Sequence, residues 1–186
     1  MRILAISGSL RAGSYNTALA RAARELAPDG VDVEIYDGLG RIPHYDQDLD
    51  QEEVETPAPV AELRRRIDEA DALFVVTPEY NGSITGVLKN AVDWASARHR
   101  TSWLRNKTVA VAGATTGQYG AIWAQQDLKR VLGIAGARVV GEALPVSSAH
   151  DKFDEEGLLR DPLLAERLRN HLAELVHEAS PLSVAA

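Results

Sequence analysis

Short apolar runs alternate with amphipathic stretches along nearly the whole chain. Ile3–Ser7 is apolar and closed by Gly8, the pattern of a buried strand. From Asn16 to Leu26, residues Ala18, Leu19, Ala22, Ala23 and Leu26 share one side, while Arg21, Arg24 and Glu25 share the other. That spacing predicts a helix, and "PDG" at Pro28–Gly30 ends it. "VDVEIY", Val31–Tyr36, alternates strictly and predicts a second strand nearer an edge. The polar section Asp37–Pro59 is too long for a plain connection and reads as a functional loop or cover. Val60–Ala70 predicts a polar helix, and Ala72–Thr77, apolar on both faces, a central parallel strand. Thr85 is placed to cap a helix through "GVLKNAVDWAS". Thr108–Gly113 predicts a fourth strand, "TTGQYG" leads into a helix ending near Ile134, and "ARVVG" predicts a short fifth strand. After the loop "DKFDEEGLLRDP", Pro162 suits the first turn of a last helix. Its apolar stripe is Leu164, Leu168, Leu172, Leu175, Val176 and Ala179.

Five strands alternating with helices define the α/β class, with a parallel sheet covered on both faces. Right-handed crossovers leave few topologies, and the order 2-1-3-4-5 is favoured. A length of 186 residues suits one domain, 1–186. In such sheets ligands bind outside the carboxyl ends of the strands, near the switch between strands 1 and 3. The loops after strands 1, 3 and 4 are therefore where chemistry is expected.

Composition narrows the partners. Hydrophobic residues are 45% and charged residues 25% of the chain, as in soluble globular proteins. A net charge of −7 argues against nucleic acid or an anionic membrane surface as partner. With no cysteine, disulfides, thiolate catalysis, Cys-ligated zinc and iron–sulfur clusters are excluded. "MRILAISGS" is too short an apolar run for a signal peptide, and no stretch reaches transmembrane length, so the expected location is cytoplasmic.

The first loop is "SGSLRAGSYN", Ser7 to Asn16. A helix N-terminus with free N–H groups favours a phosphate. Gly8 and Gly13 permit close backbone approach, Ser9, Ser14 and Asn16 offer hydrogen bonds, and Arg11 adds a permanent charge. The Gly-Lys-Ser/Thr ending of a triphosphate loop is missing, and so is the dinucleotide glycine spacing. A plain polar capping loop with a stray arginine would read the same way. The second loop is "TPEYNGSITG": Pro78 stiffens it, Gly82 allows a sharp turn, Tyr80 offers a flat ring and Asn81 can read a heteroaromatic edge. Glu79, Tyr80 and Asn81 could equally serve only the following helix. The third loop, "GATTGQYGA", brings small donors at Thr115, Thr116, Gly117 and Gln118. One loop for phosphate and two flanking a flat polar ring describe a mononucleotide. A flavin fits better than a triphosphate, because no magnesium-ligand pattern or other metal set is present.

"GSLRAGSYN" followed by "PEYNGSITGVLKNAVDW" resembles the NADPH-dependent FMN reductase family, which includes quinone, chromate and azo-dye reductases on a flavodoxin-like fold. "PHYDQDLD" and "KFDEEGLLRD" also resemble family segments, so the similarity spans nearly the whole chain. The resemblance implies a three-layer sandwich and FMN as cofactor, with NADPH or NADH as electron donor. It implies that Ser9, Arg11, Ser14 and Asn16 hold the FMN phosphate, with Tyr15 and Thr17 beside them. Pro78, Glu79, Tyr80 and Asn81 would line the isoalloxazine ring, with Ser83 next to them, and Thr115, Thr116 and Gly117 would lie on its pyrimidine side. Thr85 stands where the family commonly has proline, and "ATTGQ" replaces a Ser-Gly-Gly type third loop.

The implied reaction passes a hydride from the nicotinamide through the flavin to a quinone or similar small-molecule acceptor: chromate, an azo compound or free flavin. No side chain need act as nucleophile, acid, base or metal ligand, and His44, His99, His150, His171 and His177 read as structural or surface groups. The family forms homodimers or homotetramers; Trp94, Trp103, Tyr119 and Trp123 suit either an interface or a core. The basic segment "ARHRTSWLRNK" suits either a 2′-phosphate or a solvated surface. Two other readings stay open: a flavodoxin-type electron carrier, and a flavin-free interaction protein on the same fold.

Overall fold

The computed structural model describes residues 1–96 and 102–180. Three strands, β1 (Arg2–Ser7), β3 (Ala72–Val76) and β4 (Thr108–Ala114), are apolar on both sides and almost wholly buried, so they form the centre of the sheet. β2 (Asp32–Tyr36) alternates polar and apolar positions and takes one edge. β5 (Arg138–Val139) takes the other, giving the order β2-β1-β3-β4-β5 with every pairing parallel.

Alternation along the central strands sorts the core into two layers. Ile3, Ala5, Phe74, Val76, Ala110, Ala112 and Ala114 face α1 (Tyr15–Glu25) and α5 (Pro162–Ala179). Leu4, Ile6, Leu73, Val75, Val109 and Val111 face α2 (Ala58–Glu69), α3 (Gly86–Ser96) and α4 (Ile122–Ile134). On β4 the alanines lie on one side and the valines on the other, so α1 and α5 seat on its small-residue face. The expected stripe of α5 is confirmed: Leu164, Leu168, Leu172 and Leu175 are buried, and Val176 and Ala179 pack beside them.

Three expectations need correction. The fifth strand is shorter than Ala137–Gly141, because Gly141 turns the chain at φ +68° and only Arg138–Val139 pairs with β4. A sixth strand, β6 (Leu144–Val146), then pairs with the end of β4, which runs one residue further than expected, to Ala114. Thr85 does not spend its hydroxyl as a simple cap: it donates to the Gly8 carbonyl (2.7 Å) and joins the first loop to the second.

The polar section after β2 is a fixed cover. Arg64 is buried, donates to Asp50 (2.8 Å) and to the Trp94 carbonyl (2.8 and 3.0 Å), and lies 4.4 Å from the Trp103 ring centroid. Asn90 accepts from the Tyr45 N–H and donates to the Pro43 carbonyl, which also receives the Trp94 indole N–H. Trp94 is thus core, Trp103 packs against it from a half-buried position, and Tyr119 and Trp123 are exposed. His171 is core and contacts Phe74, whereas His44, His150 and His177 are exposed; His99 lies outside the described residues. No helix among the described residues is long and apolar enough to cross a membrane.

Candidate functional site

The parallel register brings Ser7, Val76 and Ala112 level, so the loops after β1, β3 and β4 leave the sheet at one edge. They enclose an open cleft of about 180 Å³.

The first wall is built locally. Ser14 is the N-cap of α1, in extended conformation, and its Oγ accepts from the Asn16 and Thr17 N–H groups (3.2 and 3.4 Å). Its own N–H donates to the Arg11 carbonyl (3.2 Å), which folds Arg11–Ser14 into a tight turn. Thr17 Oγ1 bonds Ser7 Oγ (3.0 Å) and fastens the first turn of α1 to the end of β1. Arg11 is exposed, makes no ion pair with any described residue, and has its guanidinium 5.8 Å from the Tyr15 ring centroid. A cation without a partner beside a capped helix N-terminus is a ready anion site.

The second wall is a two-residue reversal. Tyr80 and Ser83 exchange both backbone hydrogen bonds (3.1 and 3.2 Å), and Asn81 (φ +54°) and Gly82 (φ +74°) occupy the left-handed region between them. A tight turn with both central residues left-handed favours Asn-Gly for this reason. Tyr80 is left 57% exposed at the cleft. The turn is strapped to α4 on both flanks. Glu79 Oε2 accepts from the Ala124 N–H (3.1 Å), and Ser83 Oγ donates to Asp127 Oδ2 (2.5 Å). The Ser83 hydroxyl, followed by the Arg130 guanidinium, holds the Asp127 carboxyl below its ordinary range.

The third wall, after β4, has Thr115 half-buried and Thr116 and Gly117 exposed. Its middle is backed by the 146–149 segment: Thr115 N–H donates to the Val146 carbonyl, Ala149 N–H to the Thr115 carbonyl, and Ser148 N–H to the Gly117 carbonyl. Its first residue, Ala114, exchanges two 2.9 Å bonds with the Asn16 side-chain amide.

Ser9, Arg11, Ser14, Tyr15, Asn16, Pro78, Glu79, Tyr80, Thr115 and Thr116 are brought together on the cleft. Thr17, Asn81, Ser83 and Gly117 stand behind or beside it rather than lining it. Two participants carried no sequence signal. Ala114 lines the cleft as a plain alanine, and Asp127 looks like any polar position of α4 until Ser83 reaches it from 44 positions away. A larger groove lies between α3 and α4, lined by Lys89, Asp93, Arg105, Arg130 and Ile134, but it holds none of the expected site residues.

The family model for NADPH-dependent FMN reductases matches residues 1–151. An NAD(P)H-dependent FMN reductase of Pseudomonas aeruginosa is 39% identical over 176 residues, covering 94% of this chain and 93% of that protein. An NAD(P)H:quinone oxidoreductase of Solanum tuberosum is 35% identical over 181 residues, covering 94% and 91%. Among solved structures, the flavoenzyme NAD(P)H:(acceptor) oxidoreductase FerB of Paracoccus denitrificans superposes with a TM-score of 0.82 at 30% identity, covering 96% of both chains. This chain belongs to the NADPH-dependent FMN reductase family.

Proposed function

We propose that this chain is an FMN-dependent NAD(P)H oxidoreductase that delivers electrons to quinones, acting as a single flavin-binding domain. The observation that carries the reading is the convergence of Arg11, without an ion-pair partner among the described residues, the capped N-terminus of α1 and exposed Tyr80 on one open cleft. These residues fit FMN. Arg11, Ser9 and the first turn of α1 would hold its phosphate, and Pro78, Glu79 and Tyr80 would line its ring, with Thr115 and Thr116 on the pyrimidine side and Asn81 and Gly117 shaping the turns behind them. When bound, FMN supplies the chemistry by accepting a hydride from NADPH or NADH and releasing electrons to an acceptor. The protein's part is orientation. Tyr80 gives a flat face, and the third wall places small donors where a reduced ring gathers negative charge.

The cleft is open, so chromate, azo compounds and free flavin are further acceptors on this reading, and the cytoplasm supplies the nicotinamide. A homodimer or homotetramer is favoured by the exposed aromatic pair at the start of α4: Tyr119 and Trp123, 56% and 47% exposed, have ring centroids 4.8 Å apart. An absorption spectrum of the purified protein with added FMN, followed by NAD(P)H oxidation in the presence of a quinone, tests the proposal. A bound-flavin spectrum and quinone-dependent turnover are expected; a chain that binds no FMN overturns it.

A further inference from the structure

The three walls of the cleft do not anchor themselves equally. α1 is capped by its own Ser14, and the turn after β3 closes on itself through Tyr80 and Ser83. The N-cap position of α4 is Ala121, which sits at φ +60° and provides no side-chain cap. The first N–H groups of a helix need acceptors from somewhere. For α4 one comes from another wall: Glu79 Oε2 takes the Ala124 N–H. At the other end of the same segment, the Asn16 amide both donates to the Ala114 carbonyl and accepts from its N–H, and Asn16 is only 4% exposed. Two side chains from the other two walls thus grip Ala114, the last residue of β4, and Ala124, in the first turn of α4, on either side of the segment joining them.

The geometry points to Asn16 and Glu79 as positioning residues that clamp the β4–α4 segment, so that they act on a bound flavin through that segment. The proposal rests on the flavin reading above. One N–H and the oxygen of the Asn16 amide are engaged by Ala114, both bonds at 2.9 Å and buried, so the role assigned to this side chain is the grip on Ala114. Its removal leaves a buried N–H and a buried carbonyl without partners, a larger penalty than the loss of one exposed bond. The Glu79 bond asks only for an acceptor oxygen, which an amide also provides.

Two measurements test this. In the flavin-free chain, amide hydrogen exchange at Ala114 should accelerate in Asn16→Ala, and at Ala124 in Glu79→Ala, with Glu79→Gln restoring protection. In flavin titrations, Asn16→Ala and Glu79→Ala should weaken FMN and riboflavin by the same factor, on the order of tenfold, with Glu79→Gln again restoring binding. Arg11→Ala, by contrast, should weaken FMN alone, because riboflavin lacks the phosphate. Loss of FMN affinity with riboflavin untouched in Asn16→Ala makes Asn16 a phosphate ligand and overturns the clamp. Unchanged exchange, or failure of Glu79→Gln to recover, overturns it as well. If Asn16→Ala fails to fold, the Glu79 pair decides the matter alone. A wild-type chain that binds neither flavin sinks the functional reading, while the exchange experiment still decides the clamp.

Discussion

The loop after β1 and the loop after β4 border the same cleft and are held by opposite means. Apart from the Thr85 bond to the Gly8 carbonyl, the first is tied together within a few positions: Ser14 caps its own helix, the Arg11–Ser14 turn closes on itself, and Thr17 reaches Ser7. The second borrows its support from Asn16, Glu79 and the 146–149 backbone. Local support leaves a local pattern of residues, whereas borrowed support leaves marks scattered over distant positions. The difference also separates affinity from architecture: the first loop presents charge, and the second depends on fit.

The largest effect should come from disturbing the fit. Gly120 sits at φ +61°, and a Cβ there meets Pro145 at 2.7 Å and the Val146 nitrogen at 2.8 Å. Gly120→Val should cost roughly 4 kcal/mol, from left-handed strain plus overpacking against β6. A urea midpoint that barely moves would show that the second loop yields more readily than its contacts suggest.

Next comes the face of the sheet beneath β4. Burial of His171, reinforced by the nearby positive charges of Lys129 and Arg167 and opposed by contact with the Val111 backbone, depresses its pKa to about 4. The imidazole is therefore neutral when folded, while the unfolded chain binds the proton more readily. Its contribution is complete above about pH 6.5 and is lost as pH falls toward 4, a decline of about 3 kcal/mol. Urea unfolding at a series of pH values measures it; a slope that persists unchanged in His171→Leu would assign the loss to other groups.

Smaller effects belong to the first loop. Arg11→Ala should reduce FMN affinity by roughly 1.5–3 kcal/mol, the worth of a hydrogen bond to a charged group, with little change in melting temperature. Ser14→Ala should cost about 1 kcal/mol of stability, as for other lost N-caps. If Ser14→Ala proved as damaging as Gly120→Val, the contrast between the two loops would collapse.

The contrast also explains what the chain made legible. Strand order followed from period and length: Ala72–Val76 is apolar on both faces and Asp32–Tyr36 on only one, so centre and edge could be told apart. Ser14, Gly82 and Arg11 were legible because capping, turn geometry and free charge each need a particular residue at a particular place. Asn16 was legible as a site residue, but its use was not, since its partner Ala114 lies 98 positions away and any residue could offer that backbone. β6 was hidden for a similar reason. Leu144–Val146 contains a proline, and it pairs only because β4 runs on to Ala114 and leaves an edge open. Asp127 owes its place to Ser83, a contact that no helical period announces.

The interruption at Gly141 has a consequence for the molecule among its neighbours. A long unpaired strand at the border of a sheet is a template on which another chain can add itself. Here that border is cut into pieces of two and three residues, Arg138–Val139 and Leu144–Val146, with Lys129 occupying the Gly141 carbonyl between them at 2.6 Å. The opposite border, β2, shows Asp32 and Glu34 to the outside. Neither margin offers a long apolar ladder, so the sheet is guarded against growing from one molecule into the next.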